Sequence, residues 1–166
     1  MWSSEDGIGA WFTALSLHRI LFLPTQITGY YVDYFSTHPP LFWAESKVTL
    51  GLLQSGLGMD AARLIGEDYI GRVGTVANSG WISTGYMNGG VLGILLYAVL
   101  IGWLYAFIDA RADQIGRNFA VGVFIIPVVT LILSADLLTT LLTHGLGAVL
   151  VLSSLCARRP QPSVET

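Results

Sequence analysis

The chain has 166 residues, of which 53% are hydrophobic and 11% are charged, and its mean hydropathy is +0.63. Soluble domains carry about 25% charged residues, so this composition argues against a soluble protein and favours a membrane protein. The formal net charge of −3, without a basic stripe, argues against nucleic acid as a partner.

Residues 1–88 are the less apolar part of the chain. They hold seven acidic and four basic residues and no uninterrupted apolar run long enough to cross a membrane. We therefore predict a large external loop region with short interfacial helices. The opening MWSSEDGIGAW has acids where a secretory signal has a basic region, so it does not resemble a signal peptide.

Two short helices are predicted within this region. The segment Ile8 to Pro24 is apolar on nearly every face except at His18 and Arg19, which is typical of an interfacial or re-entrant helix. Because proline disfavours helical geometry in the preceding residue, this helix is expected to end before Pro24. A second helix is predicted around residues 59–65, flanked by glycine-rich loops.

An aromatic segment, TGYYVDYFSTHPPLFWAES, follows Pro24. Two structures are compatible with this composition. One is an aromatic belt at the level of the lipid headgroups. The other is a sugar-binding surface, where aromatic faces pack on pyranose rings and carboxylates accept hydroxyl protons.

Three membrane spans are predicted in residues 89–157. The run from Gly89 to Ile108 is uncharged and, at about 1.5 Å per residue, long enough to cross a hydrocarbon core of roughly 30 Å. Residues 119–157 would reach about 58 Å as one helix, so they must fold back. The turn is placed at SADLLTT, where Asp136 can lie at the water boundary and polar side chains can cap backbone groups. The second and third spans then cover residues 119 to about 133 and about 138–157.

The orientation of these spans follows from the basic residues near their ends, which favour the cytoplasm. Arg111 and Arg117 follow the first span, while Arg158 and Arg159 follow the third. We therefore predict a multi-pass protein with residues 1–88 outside and a cytoplasmic tail at residues 158–166. An external segment of this length is hard to translocate without a preceding span. We expect the chain to be the C-terminal part of a longer protein or a truncated gene product.

The inventory of reactive residues excludes several classes of site. A single cysteine, Cys156, cannot form an intrachain disulfide or a thiolate metal cage, and the three histidines lack metal-binding spacing. We therefore predict neither a metal nor a cofactor. The chain also lacks a phosphate-binding loop and a nucleophile elbow, which argues against an ATPase and an α/β-hydrolase.

Three segments resemble the C-terminal part of bacterial oligosaccharide repeat-unit polymerases, the Wzy or O-antigen polymerase group. They are HRILFLP…GYYVDYF, IGEDYIG…ANSGWISTGYMNGGVLG and SADLLTTLLTHG. The resemblance implies a multi-span, GT-C-like protein of the bacterial cytoplasmic (inner) membrane. It also implies an enzyme that joins glycan units linked to undecaprenyl pyrophosphate without a nucleotide sugar or metal, in contact with membrane lipid. A flippase and a chain-length regulator are the candidate protein partners.

The resemblance transfers to individual positions only in part. Arg19 matches the arginine that opens the family's external loop, but Gly29 follows after nine residues where the family pattern has ten. Arg63 and Gly74 do have that spacing. We assign Arg19 and Arg72 to the departing pyrophosphate, because a guanidinium binds phosphate oxygens in a bidentate manner.

The attacking sugar hydroxyl needs a base. The candidate bases are Asp33, Glu45 and Asp68, and the candidate sugar-binding residues are Tyr30, Tyr34, Trp43, His38, Asn78 and Tyr86.

Two alternative functions remain open. An O-antigen ligase would transfer the finished glycan to another acceptor. A transporter or assembly subunit would use its spans mainly for packing, for which the Gly89/Gly93 pair is suited. His144 is then expected to form a hydrogen bond between helices rather than to relay protons. Because the polar chemistry is concentrated outside the spans, the sequence favours the enzyme.

Overall fold

The computed structural model describes residues 4–44, 46, 49 and 52–156. Of these residues 77% are helical and none is in a strand, which confirms the predicted all-α class. The helices are α1 (Ser4–Leu17), a π-helical turn (His18–Phe22), α2 (Leu23–Thr37), α3 (Ala61–Ile70), α4 (Trp81–Ile115), α5 (Arg117–Leu133), α6 (Leu137–Thr143) and α7 (Leu146–Cys156).

The first helix does not end before Pro24, and that prediction is wrong. α1 runs through the π-helical turn directly into α2, and Pro24 lies in the first turn of α2. A proline is tolerated in a first turn, where its missing N–H would otherwise need a partner outside the helix. The wider hydrogen-bonding pattern of the π turn supplies the local adjustment that an uninterrupted α-helix lacks.

α3 is longer than its predicted range of residues 59–65. It continues to Ile70 and ends at Gly71, whose φ of 73° is a left-handed conformation that favours glycine. After it, the backbone N–H of Ala77 donates to the carbonyl of Ala62 at 2.8 Å. The loop that follows α3 therefore returns along the helix.

α4 contains a sharp break near its N-terminal end. Gly89 and Gly90 have non-helical backbone angles, and Gly90 has a φ of 59°. A Cβ on Gly85 would lie 3.0 Å from the Cα of Ile94, and a Cβ on Gly93 would overlap the carbonyl oxygen of Gly85. Nine residues along a straight helix span about 14 Å, so the two arms of α4 fold against each other.

We name residues 81–88 the short arm and residues 91–115 the long arm. The predicted first span began at Gly89, close to the start of the long arm. The polar segment before it forms the helical short arm. Gly93 therefore contacts a glycine of its own helix, which differs from the contact between helices expected for the Gly89/Gly93 pair.

α5 runs antiparallel to the long arm of α4. Buried Tyr97 and Ile101 pack in one cluster with Leu131 near the end of α5. Leu104 and Ile108, further along α4, pack against residues 120–124 near the start of α5. The carbonyl of Ile132 is so close to Gly80 that a Cβ there would overlap it. The end of α5 thus returns to the residues that precede α4.

The predicted third span is not one helix. α6 and α7 meet at an angle of 63°, and Gly145 between them has a φ of 82°. The predicted turn before α6 does contain a cap, because Asp136 Oδ2 accepts from the backbone N–H of Leu138 at 3.2 Å.

One helix among the described residues, α4, is long and apolar enough to cross a membrane. A second would qualify if α6 and α7 formed one broken span. α5 is also apolar but has only 17 residues, or about 25 Å at 1.5 Å per residue.

Replacing Gly93 with alanine tests the packing between the two arms of α4. We expect Gly93→Ala to lower the free energy of unfolding by about 1–3 kcal/mol, because the added methyl group forces the arms apart. Thermal unfolding of the protein in lipid nanodiscs measures the change. Gly102→Ala is the matched control, since Gly102 lies in the same helix with open space around its Cα. Equal effects of the two substitutions would show that the arms do not pack closely.

Candidate functional site

A polar cavity of about 370 Å³ lies where four parts of the chain meet. These are the segment after α2, the N-terminal end of α3, the short arm of α4 and the connection between α5 and α6. The side chains that line it include Trp43, Asp60, Asn78, Thr84, Asn88, Ser134, Asp136, Thr139 and His144. Most of these groups carry hydroxyl, amide or carboxyl functions.

Asn88 holds one wall of the cavity in place. Phe42 and Trp43 have φ values of 48° and 60°, a left-handed conformation that is costly for bulky residues. The Asn88 side-chain oxygen accepts from the Trp43 N–H at 2.6 Å, and its backbone carbonyl accepts from the Phe42 N–H at 3.2 Å. Its amide donates to the Thr84 carbonyl at 2.9 Å. The buried asparagine thus stabilises the turn that carries Trp43.

Trp43 also contacts the long arm of α4. Its indole Nε1 donates to the Tyr97 hydroxyl at 3.0 Å, and the two rings are nearly parallel with centroids 6.3 Å apart. The Tyr97 hydroxyl lies beside the carboxyl group of Asp136. A chain of contacts therefore links the turn after α2 to the connection between α5 and α6.

Asp136 is the more deeply placed carboxylate of the cavity. Its Oδ1 atom is buried, and no described group completes a hydrogen bond to it. Burial raises the pKa of this carboxyl above its usual value, against the opposing effect of the Tyr97 hydroxyl and of backbone N–H groups at the start of α6. A buried acceptor without a partner costs free energy.

His144 occupies a different environment from the one predicted. It is exposed at the end of α6, and its Nδ1 lies 3.1 Å from the Thr143 hydroxyl and 3.4 Å from the Thr139 carbonyl. The expected hydrogen bond to another helix is replaced by these contacts within α6. The cause is the break at Gly145, because α6 ends just before it and His144 then lies at the cavity.

The cavity is lined by two carboxyl groups, those of Asp60 and Asp136, and by one imidazole, that of His144. None of the arginines in the described ranges is among the lining residues. A phosphate or pyrophosphate group would meet like charge there. The cavity therefore favours a ligand that donates hydrogen bonds and carries no negative charge.

Of the predicted sugar-binding residues, Trp43 and Asn78 line the cavity, whereas the others lie elsewhere. Tyr30, Tyr34 and Tyr86 pack against a separate buried cluster formed by α2 and α3 with the adjoining loops. The Tyr34 ring stacks on the His38 ring with centroids 4.0 Å apart. These aromatic faces contact one another and the protein core.

The acidic candidates differ in their surroundings. Asp33 accepts from the Tyr69 hydroxyl at 2.6 Å, and this hydrogen bond is the main cause that raises the pKa of Tyr69 to about 12. Asp68 is exposed and does not line the cavity. Glu45 lies outside the described residues.

The two predicted pyrophosphate ligands, Arg19 and Arg72, are exposed and do not line the cavity. In contrast, Arg63 donates to Glu67 Oε1 at 2.8 Å, and the same oxygen accepts from the N–H of Gly74 at 2.9 Å. The arginine and glycine that matched the family spacing are therefore joined through one carboxylate, which ties the loop after α3 to the helix.

No group of three or more His, Cys, Asp or Glu side chains in the described ranges could hold a metal ion.

No family model, no curated protein and no solved structure matches the chain.

Of the residues that line the cavity, only Trp43 and Asn78 were assigned to the site from the sequence; Asn88, Asp136 and Thr139 are among those that were not. Asp136 did carry a signal, because an ionisable residue inside an apolar run is often functional. Asn88 and Thr139 carry no comparable signal. They become part of the site only when the short arm of α4 meets α6.

Removing the Asn88 side chain tests its role in the cavity wall. We expect Asn88→Ala to reduce the free energy of unfolding by about 1–3 kcal/mol, since it leaves buried backbone groups unpaired. Thermal unfolding in nanodiscs measures the loss, and the tryptophan emission spectrum reports the release of Trp43. Asn118→Ala, at an exposed position, should change stability by less than about 0.5 kcal/mol. If Asn88→Ala is as stable as this control, the turn is held by other contacts.

Proposed function

We propose that the protein is a membrane glycosyltransferase, or part of one, that joins oligosaccharide units carried on undecaprenyl pyrophosphate. It acts at the outer face of the bacterial cytoplasmic membrane. The observation that carries this proposal is the polar cavity of about 370 Å³ at the end of a group of apolar helices. A hydrophilic sugar attached to a hydrophobic carrier requires both kinds of surface side by side.

The exposed apolar surface supports placement in a membrane. Val91, Leu92 and Trp103 in the long arm of α4 are 65%, 77% and 80% exposed, and only 17% of the most apolar window of α4 is buried. A core helix of a soluble protein would bury most of these side chains, whereas lipid covers them in a membrane span. We propose three crossings: the long arm of α4, α5, and the broken pair of α6 and α7.

The cavity also supports the proposal that the regions lining it lie on the same side of the membrane. Residues 78–88 and residues 134–144 both contribute to the cavity, and the antiparallel packing of α4 and α5 places Arg111 and Arg117 at the opposite end of this helix pair. Basic residues at span ends favour the cytoplasm. The cavity then opens on the outer side.

Cysteine labelling of intact cells tests this topology. With Cys156 changed to serine, single cysteines are introduced at Val73, Asn118 and Ser134, all of which are exposed. An impermeant maleimide is expected to label positions 73 and 134 in intact cells, and position 118 only after permeabilisation. Labelling of position 118 alone would invert the topology. Labelling of 73 without 134 would separate the two regions that the cavity joins.

The chemistry of the proposed reaction divides between the cavity and the exposed arginines. A sugar hydroxyl attacks the anomeric carbon of the second unit while the bond between that carbon and the pyrophosphate oxygen breaks. The electron pair leaves with the pyrophosphate, whose growing charge Arg19 and Arg72 would stabilise. The proton passes to a carboxylate, for which Asp33, Glu45 and Asp68 remain the predicted bases.

Replacing Arg19 with lysine tests the role of the guanidinium in the protein that carries out polymerisation. The variant keeps the charge but loses the bidentate contact, so we expect polymerisation to fall about 10²-fold. Glycan length on gels, normalised to protein level by immunoblot, measures the effect. Arg117→Lys, whose guanidinium pairs with Asp113, is the matched control and should leave chain lengths unchanged. Wild-type chains from Arg19→Lys would remove Arg19 from the site.

A transporter or assembly subunit of a polysaccharide export system is the second candidate. The specific observation in its favour is that two interrupted helices, α4 and the pair of α6 and α7, meet at one polar cavity. Transporters often bind substrate between such discontinuous helices. Deletion of the gene distinguishes the two functions. Loss of an enzyme leaves single glycan units at the outer face, whereas loss of a transporter leaves lipid-linked units at the cytoplasmic face.

A further inference from the structure

We propose that the cavity is a binding site for an uncharged pyranose ring, in which Asp136 and Thr139 form hydrogen bonds to ring hydroxyls and Trp43 forms an apolar wall. This inference rests on the proposed function and narrows its substrate. The sugar unit bound in the cavity is neutral, not a uronic or otherwise acidic sugar.

The dimensions of the cavity suit such a ligand. Its volume of about 370 Å³ falls within the range of roughly 300–1,000 Å³ that is typical of small-molecule sites. Its walls come from separate elements that are fixed to one another by the contacts of Asn88 and Trp43. The site is therefore largely formed before a ligand enters.

The hydrogen-bonding groups also match a sugar. Each sugar hydroxyl can donate and accept, and the cavity offers a carboxyl acceptor in Asp136 and a hydroxyl in Thr139. Asp136 Oδ1 is buried and lacks a completed hydrogen bond among the described groups, so a sugar hydroxyl would satisfy it once the carboxyl group rotates towards the cavity. Asn78, exposed at the edge of the cavity, adds an amide that can both donate and accept.

The charge distribution selects against an acidic ring. A carboxylate at C6 would approach Asp60 and Asp136, and the one basic side chain among the described lining residues is the imidazole of His144. Like charges brought together in a partly buried site oppose binding. The same reasoning keeps the pyrophosphate group out of this cavity.

A matched pair of probes tests the proposal on the complete protein in phosphatidylcholine nanodiscs. The probes are methyl β-D-glucopyranoside and methyl β-D-glucopyranosiduronate, which differ only in the carboxylate at C6. Their affinities are measured by saturation-transfer NMR titration. We expect the neutral glycoside to bind about tenfold more tightly than the acidic one.

Two variants connect this preference to named residues. Asp136→Asn keeps the volume of the side chain and its ability to cap α6, and is expected to weaken neutral glycoside binding about tenfold while reducing the preference over the acidic probe. Thr139→Val, which replaces the hydroxyl with a methyl group of similar size, should weaken binding of the neutral glycoside by about threefold to tenfold. Asp109→Asn, an exposed carboxylate that does not line the cavity, should change neither affinity.

Three results would overturn the inference: no binding of either probe, equal or tighter binding of the acidic probe, or binding unaffected by both Asp136→Asn and Thr139→Val. Its failure can be distinguished from failure of the proposed function. Glycan polymerisation that depends on the protein, without binding of either probe, leaves the function standing and removes this site. Binding that depends on Asp136, without any polymerisation, leaves the site standing and removes the function.

Discussion

The close packing of the two arms of α4 is the constraint on which the rest of the structure depends. Gly85 and Gly93 approach so closely that a side chain on Gly93 would overlap the backbone of Gly85. The reversal at Gly89 and Gly90 brings the short arm alongside the long arm rather than extending it into solvent. A glycine at each contact is required because the backbones themselves touch.

This packing places Asn88 where it can organise the turn after α2. The asparagine satisfies backbone groups of Phe42 and Trp43 in a conformation that these residues rarely adopt. Trp43 then reaches Tyr97 in the long arm, and Tyr97 lies beside Asp136. Polar contacts thus connect the more hydrophilic half of the chain to the apolar helices. A purely apolar interface would fix the relative position of these two parts less specifically.

The breaks in the helices lie next to the cavity. A break in a helix frees backbone N–H and C=O groups, which in an apolar environment must find partners or line a polar space. The breaks at residues 89–90 and at residues 144–145 both lie beside residues that line the cavity. Both breaks therefore border one polar cavity.

The amino-acid sequence by itself determined the all-helical class, the apolar run of the long arm of α4 and the turn before α6. These features depend on local properties, namely hydropathy over one helix length and the capping ability of Asp136. The predicted end of the first helix before Pro24 is wrong, because the helix continues through a π-helical turn and the proline lies in the first turn of α2. Local reasoning also failed at Gly145, because a single glycine in an apolar run does not reveal whether the helix breaks.

The site was decided by the tertiary structure. Asn88 is far in the sequence from Thr139 and His144, and no motif connects it to them. They meet because the arms of α4 fold back and α5 returns the chain to the start of α4. The aromatic segment that contains Tyr30 and Tyr34 has a composition suited to sugar binding, yet the rings of these two residues pack against the protein itself. Composition determines which contacts a side chain can form, and only the packing of distant elements decides which of them it does form.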